Sequence, residues 1–326
     1  MNDEIIERFD YDSGKPGPHF LVLGGVHGTE PCGPKAIALI RAGLECGQIH
    51  LTAGQLTFVP ECNPRALEQQ LRYIERNLNR LLFPKVNPQT YEDRLGNQLC
   101  PILAEADYVL DLHSSQTTDR DFVFLGRPGD EEELAFAKAL GTNTYFYGFA
   151  ESYSKVGKGT DPQTGMGTTE YARTQKARAA ITLECGQHED PNGEFVGAHA
   201  IVNALKYLNM GHVDPNFASL LKSHPGKDYP ERVVRIDLPV FKREDGKFTK
   251  PWRHMMRVQS GETIATYQSG ATDIAPYDGY IIMPREIDEV GQDWFMLGVE
   301  ASFAEFMAQA DTGQTAKART WPRLML

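Results

Sequence analysis

The sequence predicts an α/β protein: a domain with a largely parallel sheet, followed by a smaller all-β domain. Three observations carry this. Between residues 19 and 210, short apolar runs alternate with segments of helical character. The apolar runs are continuous rather than alternating, as strands covered on both faces are. From about Asp214 the segments become short, with turn residues between them.

Taken in order, the first run, His19-Phe20-Leu21-Val22-Leu23, gives a strand over Phe20–Leu23. Gly24 and Gly25 break it, and His27 and Glu30 follow on the loop. Pro31, Gly33 and Pro34 punctuate the exit before a helix over Pro34–Leu44, read from Ala36-Ile37-Ala38-Leu39-Ile40. Strands are then expected at Gln55–Val59, Tyr108–Leu112, Phe122–Leu125, Thr144–Tyr147 and Ala179–Leu183. Helices are expected at Cys100–Ala106, Asp130–Leu140 and Gly197–Leu208. In such domains ligands sit at the carboxyl ends of the strands. The second domain, residues 215–326, carries Val233–Ile236, Leu238–Phe241, Met256–Val258, Ile264–Tyr267, Tyr280–Met283 and Trp294–Gly298. Asp245-Gly246 and Asp278-Gly279 are hairpin-type turn pairs. The polar stretch from Asp311 to Leu326 reads as loosely attached.

Composition narrows the function. At 326 residues the chain can bury a large core, and 41% hydrophobic with 24% charged residues is ordinary for a soluble globular protein. A net charge of −11 disfavours nucleic acid and anionic membrane as partners. An anionic substrate then requires a local basic patch. The five cysteines are an odd number with no Cys-x-x-Cys, so neither a disulfide framework nor a thiolate zinc site is indicated. Residues Met1 to Asp12 are acidic and polar, unlike a signal peptide, and no apolar run approaches the ~20 residues of a membrane helix. A cytoplasmic enzyme is expected, and a homo-oligomer stays open.

Four segments carry chemistry. His27 and Glu30, three apart after a buried strand, can turn toward one point and suit zinc, although the pair alone is a weak signal. In Tyr108-Val109-Leu110-Asp111-Leu112-His113, alternate residues share a face, so Asp111 and His113 point the same way. His113 could be a third ligand, with Asp111 orienting its ring; the competing reading is a pair capping the strand end. Glu184 follows the apolar run Ala180–Leu183, where an ionised carboxylate is costly unless paired. It reads either as a general base beside a zinc-activated water or as half of a structural salt bridge to an Arg. Arg72, Arg76 and Arg80 form the basic patch at helical spacing, which by itself favours a solvated helix face. Guanidinium forks also suit carboxylates, and Asn79-Arg80 could clamp one.

In this order, His27-x-x-Glu30, Asn63-Pro64, Arg72-Tyr73, Leu78-Asn79-Arg80, Asp111-x-His113 and Glu184 resemble the succinylglutamate desuccinylase/aspartoacylase family, within the zinc carboxypeptidase superfamily. The resemblance covers about residues 19–200. It implies a zinc-carboxypeptidase-like α/β/α domain with a mixed, largely parallel sheet over residues 1–214, and a β-rich domain over 215–326 that can narrow the substrate channel. It implies one Zn2+ per chain held by His27, Glu30 and His113, with Glu184 as general base. Arg72 would polarise the scissile carbonyl, and Asn79 and Arg80 would hold a carboxylate of a small anionic substrate. The implied reaction is hydrolysis of an N-acyl amide. Aspartoacylases also place a Tyr and an Arg four residues apart before the glutamate; here Tyr171 is followed by Arg173, Gln175 and Arg178. They use a C-terminal tyrosine as well, for which Tyr267, Tyr277 and Tyr280 are the candidates. The rival readings are a carboxypeptidase acting on short peptides and a zinc-fold binding protein without catalysis. A serine α/β-hydrolase is disfavoured, because no Gly-x-Ser-x-Gly is present.

Overall fold

The structure, a computed structural model, describes residues 5–118, 120–156, 166–221 and 229–309. The segment from Asp311 to Leu326 lies outside them. The chain begins with β1 (Phe9–Asp12), β2 (His19–Leu23), α1 (Cys32–Glu45), β3 (Ile49–Leu51), β4 (Gln55–Val59) and α2 (Pro64–Gln69). Next come α3 (Tyr91–Glu105), β5 (Tyr108–Ser115), β6 (Phe122–Phe124), α4 (Glu131–Ala139), β7 (Thr144–Tyr147) and α5 (Phe149–Lys155). Then follow α6 (Thr168–Thr174), β8 (Ala179–Gln187), α7 (Gly193–Tyr207), β9 (Gly211–Val213) and α8 (Pro215–Leu220). The rest is β10 (Arg232–Phe241), β11 (Gly246–Phe248), β12 (Arg257–Val258), β13 (Thr263–Tyr267), β14 (Thr272–Ile274), β15 (Gly279–Ile282), β16 (Asp293–Ala301) and α9 (Phe303–Ala308).

An 11-stranded mixed sheet runs β1-β4-β2-β5-β8-β6-β7-β10-β16-β15-β12. Its heart, β4-β2-β5-β8, is parallel. Strand periodicity sorts its side chains onto two faces. Phe20, Val22, Leu110, Ile181 and Leu183 pack in one cluster with residues of α1, α4 and α7. Leu21, Leu23, Val109 and Ala180 pack in the other with residues of α3 and α6. Cover on both faces is why these strands read as continuous apolar runs.

Both site-bearing strands run past their predicted ends. Parallel pairing continues through Leu112↔Leu183 to His113↔Glu184, so these two residues lie side by side inside the ladder rather than beyond it. The helix expected at Cys100–Ala106 is the second half of α3, which begins at a capping box made by Thr90 and Asp93. The helical spacing of Arg72, Arg76 and Arg80 does not give a helix. This segment is irregular and ends in one 3-10 turn, Leu78–Arg80. The reason is a buried carboxylate: the backbone N–H groups of Ile74, Glu75 and Arg76 donate to Glu92 instead of to helical carbonyls.

The two runs expected around residue 237 form one strand, β10, with a register shift between Ile236 and Leu238. It pairs parallel to β7 and antiparallel to β16, so the main sheet crosses residue 214 without a break. A separate three-stranded sheet, β11-β13-β14, stands beside it. The two Asp-Gly pairs are bends between strands of different sheets, not hairpin turns, because the strands on either side find other partners. Among the described residues no helix is long and apolar enough to cross a membrane.

Candidate metal centre and active site

The loop after β2 is shaped by its glycines. Gly25 has a left-handed backbone, φ +61°, where a side chain would be strained. A Cβ on Gly28 would stand 2.0 Å from the Ala66 backbone, so only glycine lets the loop pass against α2. The Glu30 N–H then donates to the His27 carbonyl at 3.2 Å, closing a turn that aims both side chains at one point. His113 reaches that point from the end of β5. His27, Glu30 and His113 are each 2% exposed. One ligand-capable atom from each falls within 4.8 Å of the others, so the three could hold a metal ion.

The hydrogen bonds show that a cation fits. Asn77 Oδ1 accepts the Asn79 N–H at 3.0 Å, which fixes it as an acceptor, and it also lies 3.0 Å from His27 Nε2. Asp111 Oδ2 lies 2.9 Å from His113 Nε2. Both rings therefore donate from Nε2, and a neutral ring turns the Nδ1 lone pair inward. Both Nδ1 atoms face Glu30, His27 at 2.9 Å from Oε1 and His113 at 2.8 Å from Oε2. Two imidazole nitrogens and a carboxylate converging in a buried space need a positive charge among them, a proton on His113 or a metal ion in its place. Burial, then the charge of Arg72, pushes the His27 imidazole down to about 4. Burial opposes charge on His113 too, but Asp111 and Glu30 outweigh it and raise this imidazole well above its usual value. Burial would raise the Glu30 carboxyl, yet the two imidazoles hold it well below the carboxylate range.

Glu184 stands next to His113 in the sheet, 5% exposed, with its Oε2 buried and without a hydrogen-bond partner. Burial first, then the negative charge of Glu30, raises its carboxyl well above the usual range. Arg72 donates from Nη1 to Glu30 Oε1 at 3.0 Å, with 31% of its side chain exposed. A raised carboxyl and a guanidinium beside a possible cation site are the parts that proton transfer and oxyanion stabilisation require.

A family model for the succinylglutamate desuccinylase/aspartoacylase catalytic domain matches residues 16–209. The chain belongs to this family. Its members are amide hydrolases. Solved structures with the same fold include a succinylglutamate desuccinylase from Vibrio cholerae, 16% identical, TM-score 0.67, covering 90% of this chain and 85% of that one. A succinylglutamate desuccinylase/aspartoacylase from Rhodobacter sphaeroides is 20% identical, TM-score 0.66, over 88% and 87% of the two chains. The product-bound ectoine utilization protein EutE (DoeB) from Ruegeria pomeroyi is 20% identical, TM-score 0.65, over 90% and 88%. Among curated proteins there is no match.

The remaining residues suggested by the family resemblance divide. Asn79 Oδ1 accepts the Thr168 N–H at 2.9 Å, and the Thr168 hydroxyl donates to Asp111, so Asn79 is joined to His113 through two side chains. Arg80 follows it, over the rings of Phe149 and Tyr153. Arg173 and Arg178 are used elsewhere, paired with Glu133 at 2.9 Å and Glu132 at 2.5 Å. The three tyrosines find partners within the C-terminal segment: Tyr267 with Asp273, Tyr280 with Glu300, and Tyr277 beside Asp237. Sequence reasoning missed several neighbours. Asn77 hydrogen-bonds to His27, and the Thr168 hydroxyl donates to Asp111 behind His113. Ser114 donates its N–H to Glu30 Oε2 at 3.2 Å and meets His188 Nδ1 at 2.8 Å through its hydroxyl. Arg285, from the C-terminal segment, feels the charges of Arg72 and Glu30. Only Asn77, two residues from Asn79-Arg80, carried any sequence signal, by proximity.

Proposed function

We propose that the protein is a zinc-dependent hydrolase cleaving the amide bond of a small N-acyl amino acid or a similar carboxylate-bearing amide. The observation that supports this most is the placement of Glu184, buried and with an unpartnered oxygen, in register beside His113 of the His27-Glu30-His113 group. His27, Glu30 and His113 hold the zinc; two imidazoles and a carboxylate are a catalytic donor set that leaves one position open. Zinc, when bound, supplies Lewis acidity and lowers the pKa of a water toward about 7.

The chain's own residues do the rest. Asn77 and Asp111 fix the imidazole tautomers from behind. Glu184 takes the proton of the attacking water and returns it to the leaving amine, a role its raised pKa suits. Arg72 places positive charge where the carbonyl oxygen gains negative charge. Arg80 and Asn79, on the same segment as Arg72, hold the substrate carboxylate. The test is a panel of N-acyl amino acids and short peptides assayed with and without zinc. Zinc-dependent hydrolysis of N-acyl amino acids is expected. Cleavage of peptides alone, or equal rates in a chelator, contradicts the proposal.

A further inference from the structure

The C-terminal segment delivers a carboxylate to the very arginine assigned to the substrate. Asp293 opens β16, and its Oδ2 lies 3.9 Å from Arg80 Nη2. Arg285 comes to the same place from the loop after β15. Its N–H donates to the Trp294 carbonyl at 2.9 Å, and its Nη1 lies 3.5 Å from the Asp293 carbonyl. The Thr117 hydroxyl donates to the Pro284 carbonyl at 2.8 Å, which ties this loop to the chain just beyond β5 and His113. Burial, then the like charge of Arg72, lowers the Arg285 pKa.

The charges here do not balance to a site for two anions. Arg80 and Arg285 bring two positive charges, Asp293 and Glu170 both set a negative charge against Arg80, and Arg72 is already paired with Glu30 at 3.0 Å. We propose that Asp293 is a specificity-determining residue that admits amides carrying one carboxylate and disfavours those carrying two. This rests on the amide-hydrolase reading above. A first substrate carboxylate is held at Arg80, with Arg285 brought beside it by the Asp293 carbonyl. A second, brought toward Arg80, meets the like charge of Asp293 in a partly buried space where repulsion is screened less than in water. Selection by an unfavourable charge is a recognised route to specificity.

Binding of N-methylsulfonyl-alanine and N-methylsulfonyl-aspartate to the zinc-loaded protein, measured by calorimetry, tests this, because neither sulfonamide is hydrolysed. The wild type is expected to favour the alanine compound at least about tenfold. Asp293→Asn should bring the ratio to within about threefold of unity, and Asp293→Glu should restore the preference. A ratio is insensitive to a misfolded fraction. Equal binding of both compounds by the wild type, or the same ratio in Asp293→Asn, overturns the assignment. The N-acetyl compounds, assayed in parallel, separate the two claims. A binding preference without hydrolysis of either sinks the hydrolase reading and supports Asp293. Hydrolysis of both with no dependence on residue 293 sinks Asp293 alone.

Discussion

At the residue scale, the two imidazoles of the centre differ in protonation, and this has a measurable consequence. His27, pushed down to about 4, is neutral at pH 7. His113, raised by Asp111 and Glu30 against its burial, holds a proton far more readily than His27. A metal ion held by this group would compete with a proton for the imidazole lone pair. Binding of zinc to the metal-free protein at pH 7 should therefore release at least about one proton, and affinity should rise with pH. Asp111→Asn removes the first charge supporting the imidazolium and should reduce the release. Calorimetry in buffers of different ionisation enthalpy reads the count; no release would show that His113 is neutral. His27→Ala and His113→Ala should each lower zinc from about one per chain to less than about a tenth. Retention of zinc in both variants would show that the metal sits elsewhere. His27, Glu30, His113 and Glu184 were legible because polar residues at the ends of apolar strands are costly and conspicuous. Thr168 and Arg285 were not, because each matters only through a neighbour distant in sequence, and Asn77 was signalled only by its nearness to Asn79-Arg80.

Among the elements, the segment from Arg72 to Arg80 shows how spacing can mislead. Three arginines at helical intervals suggested a helix face, but a single carboxylate reorganised the backbone. Glu92 is fully buried at the start of α3 and accepts N–H groups from Ile74, Glu75 and Arg76, as well as the Asn63 amide. This grip sets where Arg72, Asn77 and Arg80 stand. Glu92→Ala leaves these donors without their acceptor and should destabilise the fold by at least about 2 kcal/mol, the scale of hydrogen bonds to a charged group. It should also lower kcat/KM, since Arg72 loses its position. Denaturant melts and kinetics on the same preparation check this; an unchanged melting midpoint would show that the segment is held by other contacts. The Thr90-x-x-Asp93 cap of α3 could have been read from sequence, whereas the Glu92 contacts could not.

For the whole molecule, the alternation of apolar strands and helices announced the α/β architecture, because each central strand is buried on both faces. The join to the C-terminal segment was hidden, because parallel pairing of β10 with β7 leaves no local signature. That join packs Val234, Ile236, Ile282 and Met296 against Phe122, Phe146 and Tyr153. A chain ending at residue 214 would expose this cluster and the edge of β7. It should show no cooperative melt, and a sharp transition in the truncated chain would establish independent folding. The central claim is that this sheet brings a metal-holding group and Glu184 together for amide hydrolysis. The most direct test is kcat of Glu184→Gln on the best N-acyl amino acid, with zinc content measured on the same sample. The account predicts about one zinc per chain and a rate reduced at least about a hundredfold, the lower range for a positioned general base. Full zinc with an undiminished rate would contradict it.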